Sequence, residues 1–269
     1  MIRYGLNGAT VMPLDLASEI RLASAAGFDL IEFRAPKIEK SLQTSSLDEL
    51  KTLLRAAGLQ PLSVNALEQS NTRSPAEVSA EFEKLAGWAE ALGCSFVVAV
   101  PGFLSAPVPK EEVVARTVDA LAPLAEIAAA HNVRLGFEFL GFSNCTVNSL
   151  AQAREILRRL ASPHVGLALD TFHFYLAGEP LEELGELEPG ELILLHVNDA
   201  ESRSRDELRD EHRLLPGQGV IPLQDMWRLL RERDLVDHAS LELFRPEYWE
   251  QPPEPFLREA LACLRRVFP

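Results

Sequence analysis

The chain is short of the features that mark several classes of protein. Its three cysteines, Cys94, Cys145 and Cys263, stand far apart in no CxxC pair. That spacing excludes a disulfide framework or a thiolate zinc site and fits reduced thiols in a cytoplasmic protein. No apolar run approaches the ~20 residues that span a bilayer. The opening MIRYGLNGATVMPLDLASEI has neither a long apolar stretch nor a small-residue cleavage site, so neither a membrane partner nor a secretory leader is expected. Cations are outnumbered, with 26 Lys and Arg against 40 Asp and Glu for a net charge of −14. A general nucleic-acid binder needs clustered Lys and Arg and is not expected. No GxGxxG follows the first strand candidate, so an open dinucleotide-binding sheet lacks its main sign.

What is present is apolar periodicity from end to end. Hydrophobic residues make up 47% of 269, enough for one large core, and α/β barrels commonly run to about 250 residues as one domain. Short apolar runs at 3–7, 30–34, 62–66, 96–101, 135–140, 165–170, 193–198 and 239–244 predict strands. Amphipathic patterns at 14–26, 47–57, 76–92, 111–131, 150–160, 223–233 and 255–267 predict helices between them. Ser46 with Glu49 makes a capping box, Ser74-Pro75 opens another helix, and Gly27, Gly58 and Gly93 follow helical patterns where a left-handed cap is wanted. Strands alternating with helices predict parallel β/α units, and eight of them close a barrel. The expectation is a single (β/α)8 TIM barrel over residues 1–269. The one long irregular stretch, 199–221, follows the seventh strand and has the length of a functional loop.

The ends of the last four strands carry the chemistry. Side chains alternate between the faces of a strand. Leu135, Phe137 and Phe139 oppose Gly136 and Glu138; Val165, Leu167 and Leu169 oppose Gly166, Ala168 and Asp170. Ile193, Leu195 and Val197 oppose Leu194, His196 and Asn198; Leu241 and Leu243 oppose Ser240 and Glu242. Four times, a bulky apolar face suits the outer helices and a face of small or ionisable residues suits the barrel interior. Three carboxylates and an imidazole make a poor packed core, and unpaired they are costly to bury. Together Glu138, Asp170, His196 and Glu242 call for one divalent metal ion. Oxygen donors with one imidazole and no thiolate suit Mn²⁺, Zn²⁺, Co²⁺ or Mg²⁺. The competing reading is scattered strand-end polar residues, each paired with Arg or Lys.

Glu–Asp–His–Glu on four successive strands resembles the sugar isomerases and epimerases with a xylose-isomerase-like barrel. The likeness is strongest to the bacterial 2-keto-myo-inositol (inosose) isomerases and covers essentially the whole chain. It rests on Asn65-Ala66-Leu67, VVAVP at 97–101, CTVN at 145–148, LDTFHF at 169–174, DEHRLLPGQG at 210–219 and LELFRPEYW at 241–249. The resemblance implies that Glu138, Asp170, His196 and Glu242 hold the metal and that Glu138 and Glu242 also move protons. It implies that His173 and Arg213 bind substrate, a small keto-inositol or ketose. The implied chemistry is an isomerisation through an enediolate: a metal polarises the ketone, a carboxylate takes the neighbouring proton, and the proton returns one carbon away. Ketose 3-epimerase, hydroxypyruvate isomerase and dehydratase readings share the ligand set and stay open, as does oligomeric assembly. An abasic-site endonuclease uses the same barrel, but the charge and the one strand-end histidine count against it.

Other residues carry weaker signals. Glu32 and Arg34 either reach the cavity or pair with each other. Arg245 pairs with Glu247 or Glu242. Asn7, Asn65 and Asn198 are candidate cavity liners, and Phe103, Phe172 and Trp249 are expected in packing. His131, His164, His212 and His238 are expected at the surface.

Overall fold

The computed structural model describes residues 2–269. Ten strands form in chain order: β1 (Arg3–Asn7), β2 (Leu30–Arg34), β3 (Gln60–Leu67), β4 (Phe96–Ala99), β5 (Arg134–Glu138), β6 (Val165–Asp170), β7 (Leu192–Val197), β8 (Asp199–Ala200), β9 (Arg213–Leu214) and β10 (His238–Leu241). Eight of them close a parallel barrel in the order β1-β10-β7-β6-β5-β4-β3-β2. The short β8 and β9 pair antiparallel beside it. The helices are α1 (Leu16–Ala26), α2 (Ala35–Ser41), α3 (Leu47–Ala57), α4 (Pro75–Leu92), α5 (Lys110–Ala130), α6 (Leu150–Leu160), α7 (Thr171–Ala177), α8 (Leu223–Glu232), α9 (Pro246–Trp249) and α10 (Pro253–Val267). No described helix is long and apolar enough to cross a membrane.

Local signals act where the sequence places them. Ser46 accepts from the Glu49 amide at 3.2 Å while Glu49 accepts from the Ser46 amide at 2.8 Å, so α3 starts on a complete capping box. Gly58, which ends α3, has φ +68°, a left-handed conformation that favours glycine. The outer apolar faces of the strands meet the helices in one continuous core that includes Leu135, Phe137, Leu167, Leu195 and Leu241. A smaller apolar plug fills part of the barrel interior, among it Leu30, Leu62, Val98, Ile193 and Leu194.

Ile193 and Leu194 both belong to that plug, which strict alternation forbids. The β6–β7 register shifts between Leu167 and Ala168, so Leu167 pairs with Leu192 but Ala168 with Leu194. The irregularity turns Ile193 inward. Gly166 makes room for it: a Cβ there would sit 2.6 Å from Ile193 Cγ2. Beyond the shift the expected parity resumes at His196.

Two further expectations are corrected. His238 is buried, stacked on Phe96 with ring centroids 6.4 Å apart, because it opens β10 rather than ending a loop. The stretch 199–221 is not irregular throughout, since it contains β8, β9 and two single-turn 3₁₀ segments.

Candidate metal centre

Strand geometry delivers four donors to one point. Glu138 and Asp170 are the last residues of β5 and β6, and His196 is next to last in β7. Glu242 lies one residue past β10, yet its amide still bonds the Val197 carbonyl at 3.2 Å, which keeps its side chain in the inward register. One ligand atom from each of the four lies within 4.8 Å of the others, and all four residues are buried. Ligand distances of ~2.0–2.2 Å place donors on opposite sides of an ion up to roughly 4.4 Å apart, so the set fits one ion after slight contraction.

Charge leads to the same conclusion. Glu32, Glu138, Asp170 and Glu242 are buried carboxylates, and the buried groups able to carry positive charge against them are the Arg213 guanidinium and the His196 imidazole. With all four carboxylates ionised and the imidazole protonated, two negative charges remain, the charge that a divalent cation cancels. The cluster can therefore hold one metal ion.

Each donor is braced. Asp170 caps α7, with Oδ1 accepting from the Phe172 and His173 amides at 2.7 and 3.0 Å. Its Oδ2 accepts from Asn198 Nδ2 at 2.8 Å and from Arg213 Nη1 at 2.6 Å. Burial pushes this carboxyl up, but Arg213, then His173 and His196, outweigh it and hold it at about 2. His196 points Nδ1 at Glu138 Oε1, 2.8 Å away, and Nε2 at Glu32 Oε2, 3.1 Å away. Burial would lower this imidazole, but Glu242, Glu32 and Glu138 raise it well above its usual value. Glu242 is pushed up to about 8 by burial, with Glu138 adding to the rise and His196 opposing it.

His173 and Arg213 lie side by side at the cluster. Arg213 is 1% exposed, although it lies in the strongly charged run DELRDEHR. Its guanidinium bonds Asp170, lies 3.2 Å from Glu242 Oε2, is held by Asp210 at 2.7 Å, and stacks on Phe172 and Phe244. Arg213 Nη2 lies 3.2 Å from His173 Nε2. A guanidinium only donates, so Nε2 accepts and the His173 proton sits on Nδ1. That Nδ1 is buried without a partner. Burial also lowers the His173 pKa, which keeps the ring neutral.

Above the cluster lies a cavity of about 220 Å³ lined by Glu138, Glu242, His173, Arg213, Arg34 and Asn65 on polar sides and by Val100, Leu140, Phe142 and Phe244 on apolar ones. Drug-sized ligands occupy pockets from ~300 Å³ upward; this one suits a single sugar ring.

Of the weaker candidates, Phe103 and Asn65 line the cavity, whereas Asn7 caps the turn after β1 and Asn198 braces Asp170. Trp249 donates to the Ala9 carbonyl, and Arg245 pairs with Glu201 at 2.7 Å and Glu247 at 3.4 Å, away from Glu242. His131 sits between Glu83 and Glu90, outside the cavity. The Glu32–Arg34 ion pair does not form. Glu32 instead accepts from Ser63 Oγ at 2.5 Å, from Ser240 and from His196. Burial raises this carboxyl, yet those partners, led by His196, hold it at about 2. Sequence reading missed its role; the inward parity of β2 was the available signal.

Comparison with known proteins agrees with this geometry. Residues 20–267 match the family model described as xylose isomerase-like TIM barrel. The chain is 35% identical over 250 residues to an inosose isomerase of Halalkalibacterium halodurans, covering 91% of this chain and 89% of that one. It is 35% identical to an inosose isomerase of Bacillus subtilis, covering 91% and 90%. A crystal structure of the protein IolI with a bound zinc atom superposes with a TM-score of 0.96 at 34% identity, covering 99% of this chain and 98% of the other.

Proposed function

The chain belongs to the xylose isomerase-like TIM barrel family, and from that premise we propose that it is a divalent-metal-dependent isomerase of keto-inositols, moving the carbonyl of 2-keto-myo-inositol by one ring position. The observation that carries the proposal is the buried Glu138–Asp170–His196–Glu242 set with two of its carboxylates lining a sugar-sized cavity. Bound there, the ion supplies Lewis-acid polarisation of a ketone.

The chain's own residues do the rest. One of Glu138 and Glu242 takes the proton from the carbon next to the ketone. The adjoining hydroxyl proton passes to the former carbonyl oxygen, and a carboxyl returns a proton to the former carbonyl carbon, so atoms and charge balance. The unpartnered His173 Nδ1–H donates to a substrate oxygen, and Arg213 contributes positive charge where negative charge develops. Val100, Leu140 and Phe142 give the cavity its apolar wall. The buried thiols of Cys94, Cys145 and Cys263 fit a cytoplasmic setting.

The test is elemental analysis of the purified protein with NMR of 2-keto-myo-inositol in D₂O. Deuterium uptake and a new keto-inositol are expected. Glu138→Gln and Glu242→Gln should each lower kcat by about 10²–10⁴-fold while the circular dichroism of a folded barrel persists, with metal content measured separately for each. Near-wild-type turnover by either variant overturns the proton-transfer role. Turnover of a free ketohexose or hydroxypyruvate in place of the inosose moves the protein to another branch of the family.

A further inference from the structure

The β2–β3 wall of the cavity is polar, with Arg34, Asn65 and Glu68 on it, and nothing in the proton transfer uses it. Arg34 closes β2, and β2 lies four strands from β6 in either direction around the barrel. Arg34 and Asp170 therefore end strands on opposite sides of the mouth.

Arg34 is held from two sides. Its Nη1 donates to Asn65 Oδ1 at 2.8 Å, and its guanidinium carbon lies 5.4 Å from the centre of the Phe244 ring. The other edge makes no hydrogen bond and has only the Glu68 carboxylate as a loose ion-pair neighbour. Nη2 is 3.7 Å from Glu68 Oε1, beyond hydrogen-bond range, and Nε is buried with no partner. Nε–H and Nη2–H are parallel donors on one side of a planar fork, the arrangement that takes two oxygens at once. A buried guanidinium N–H without an acceptor is a costly feature, and a ligand oxygen relieves it.

We propose that the Nε/Nη2 edge of Arg34 binds adjacent ring hydroxyls of the substrate, across the barrel mouth from Asp170, and so selects cyclic polyol ketones over short hydroxyketones. A ketone and its neighbouring hydroxyl directed at the cluster leave the far hydroxyls of a six-membered ring facing β2. A three-carbon hydroxyketone presents the same reacting group but nothing to Arg34. This inference deepens the isomerase reading above and rests on it.

The experiment compares zinc-loaded wild type, Arg34→Lys and Arg34→Gln on 2-keto-myo-inositol and on dihydroxyacetone, following α-proton exchange in D₂O. Hydrogen bonds to a charged donor lead us to expect KM for the inosose to rise about 10–100-fold with a much smaller change in kcat. The loss on the inosose should exceed that on dihydroxyacetone by at least about tenfold, and Lys should recover only part of it. Equal losses on both substrates would mean that Arg34 acts only by placing Asn65, which lies 3.4 Å from Glu242 Oε1, and would overturn the proposal. If wild type exchanges dihydroxyacetone but not the inosose, the isomerase reading fails on its own. Calorimetric binding of the inosose then decides the role of Arg34: weaker binding by both variants supports it, and equal binding, or none by wild type, overturns it.

Discussion

A metal ion entering the cluster displaces protons. Glu242 is raised to about 8 by burial, and His196 is raised well above its ordinary value against burial by three carboxylates. At neutral pH the metal-free site therefore holds more protons than the same groups hold in water, while the ligand forms are deprotonated. Binding releases those protons, so apparent affinity should rise with pH through neutrality, the Glu242 share of the rise ending above about 8. Each proton released contributes roughly a tenfold gain per pH unit. Zinc titrations at several pH values, repeated in buffers of different ionisation heat, count the protons; affinity flat between pH 6 and 8 would contradict the account. At this scale the four-residue cluster was legible because period-2 alternation sorts its members onto one face without any knowledge of the fold. Glu32 was not. A same-face Glu32–Arg34 pair explained both residues equally well, and only barrel closure brings Ser63, His196 and Ser240 against the one and Asn65 against the other.

The loop after β7 is built around one carboxylate. Asp199 Oδ2 accepts from the amides of Gly217 and Gly219 at 3.0 and 2.9 Å, and Oδ1 from those of Ala200 and Ile221 at 2.9 Å each. Both glycines are required. Gly217 has φ +81°, and a Cβ on Gly219 would lie 2.2 Å from the Ala200 carbonyl oxygen. The wrapped segment pairs Ala200 with Arg213 across the β8–β9 ladder, which is how a residue from a long loop reaches the centre of the barrel. Asp199→Ala should free the loop and displace Arg213, lowering kcat/KM by about 10–100-fold and speeding proteolysis within 199–221 while the far-ultraviolet spectrum holds. Unchanged activity and an unchanged cleavage pattern would remove Asp199 from this role. The sequence marked the stretch by its length alone. Four amides converging on one side chain is a three-dimensional fact with no periodicity to betray it, and the inward turn of Ile193 escaped for the same reason: a shift in pairing register belongs to two strands rather than to either one.

Closure links the two ends of the chain: β1 pairs with β10 from Arg3–His238 to Leu6–Leu241. Eight apolar runs alternating with helices made that barrel readable, because few other arrangements bury so many parallel strands. The net charge of −14 said much less, since its functionally important part is the small buried excess at the cluster. That excess has a consequence for the whole molecule. Bringing several carboxylates together in a buried site opposes folding, and an ion that binds only the folded state offsets it by about 2.7 kcal/mol at a hundredfold excess over Kd and about 4.1 kcal/mol at a thousandfold. At roughly 2–4 °C per kcal/mol for a domain near this size, saturating zinc or manganese should raise Tm by about 5–15 °C, and a chelator should reverse the rise. We propose that the chain unfolds as one domain, because the cluster draws on β5, β6, β7 and the end of β10, and β10 closes on β1. The whole calorimetric transition should then move as a single peak; a second peak that ignores the metal, or no shift at all, would count against a buried metal site braced by the entire barrel.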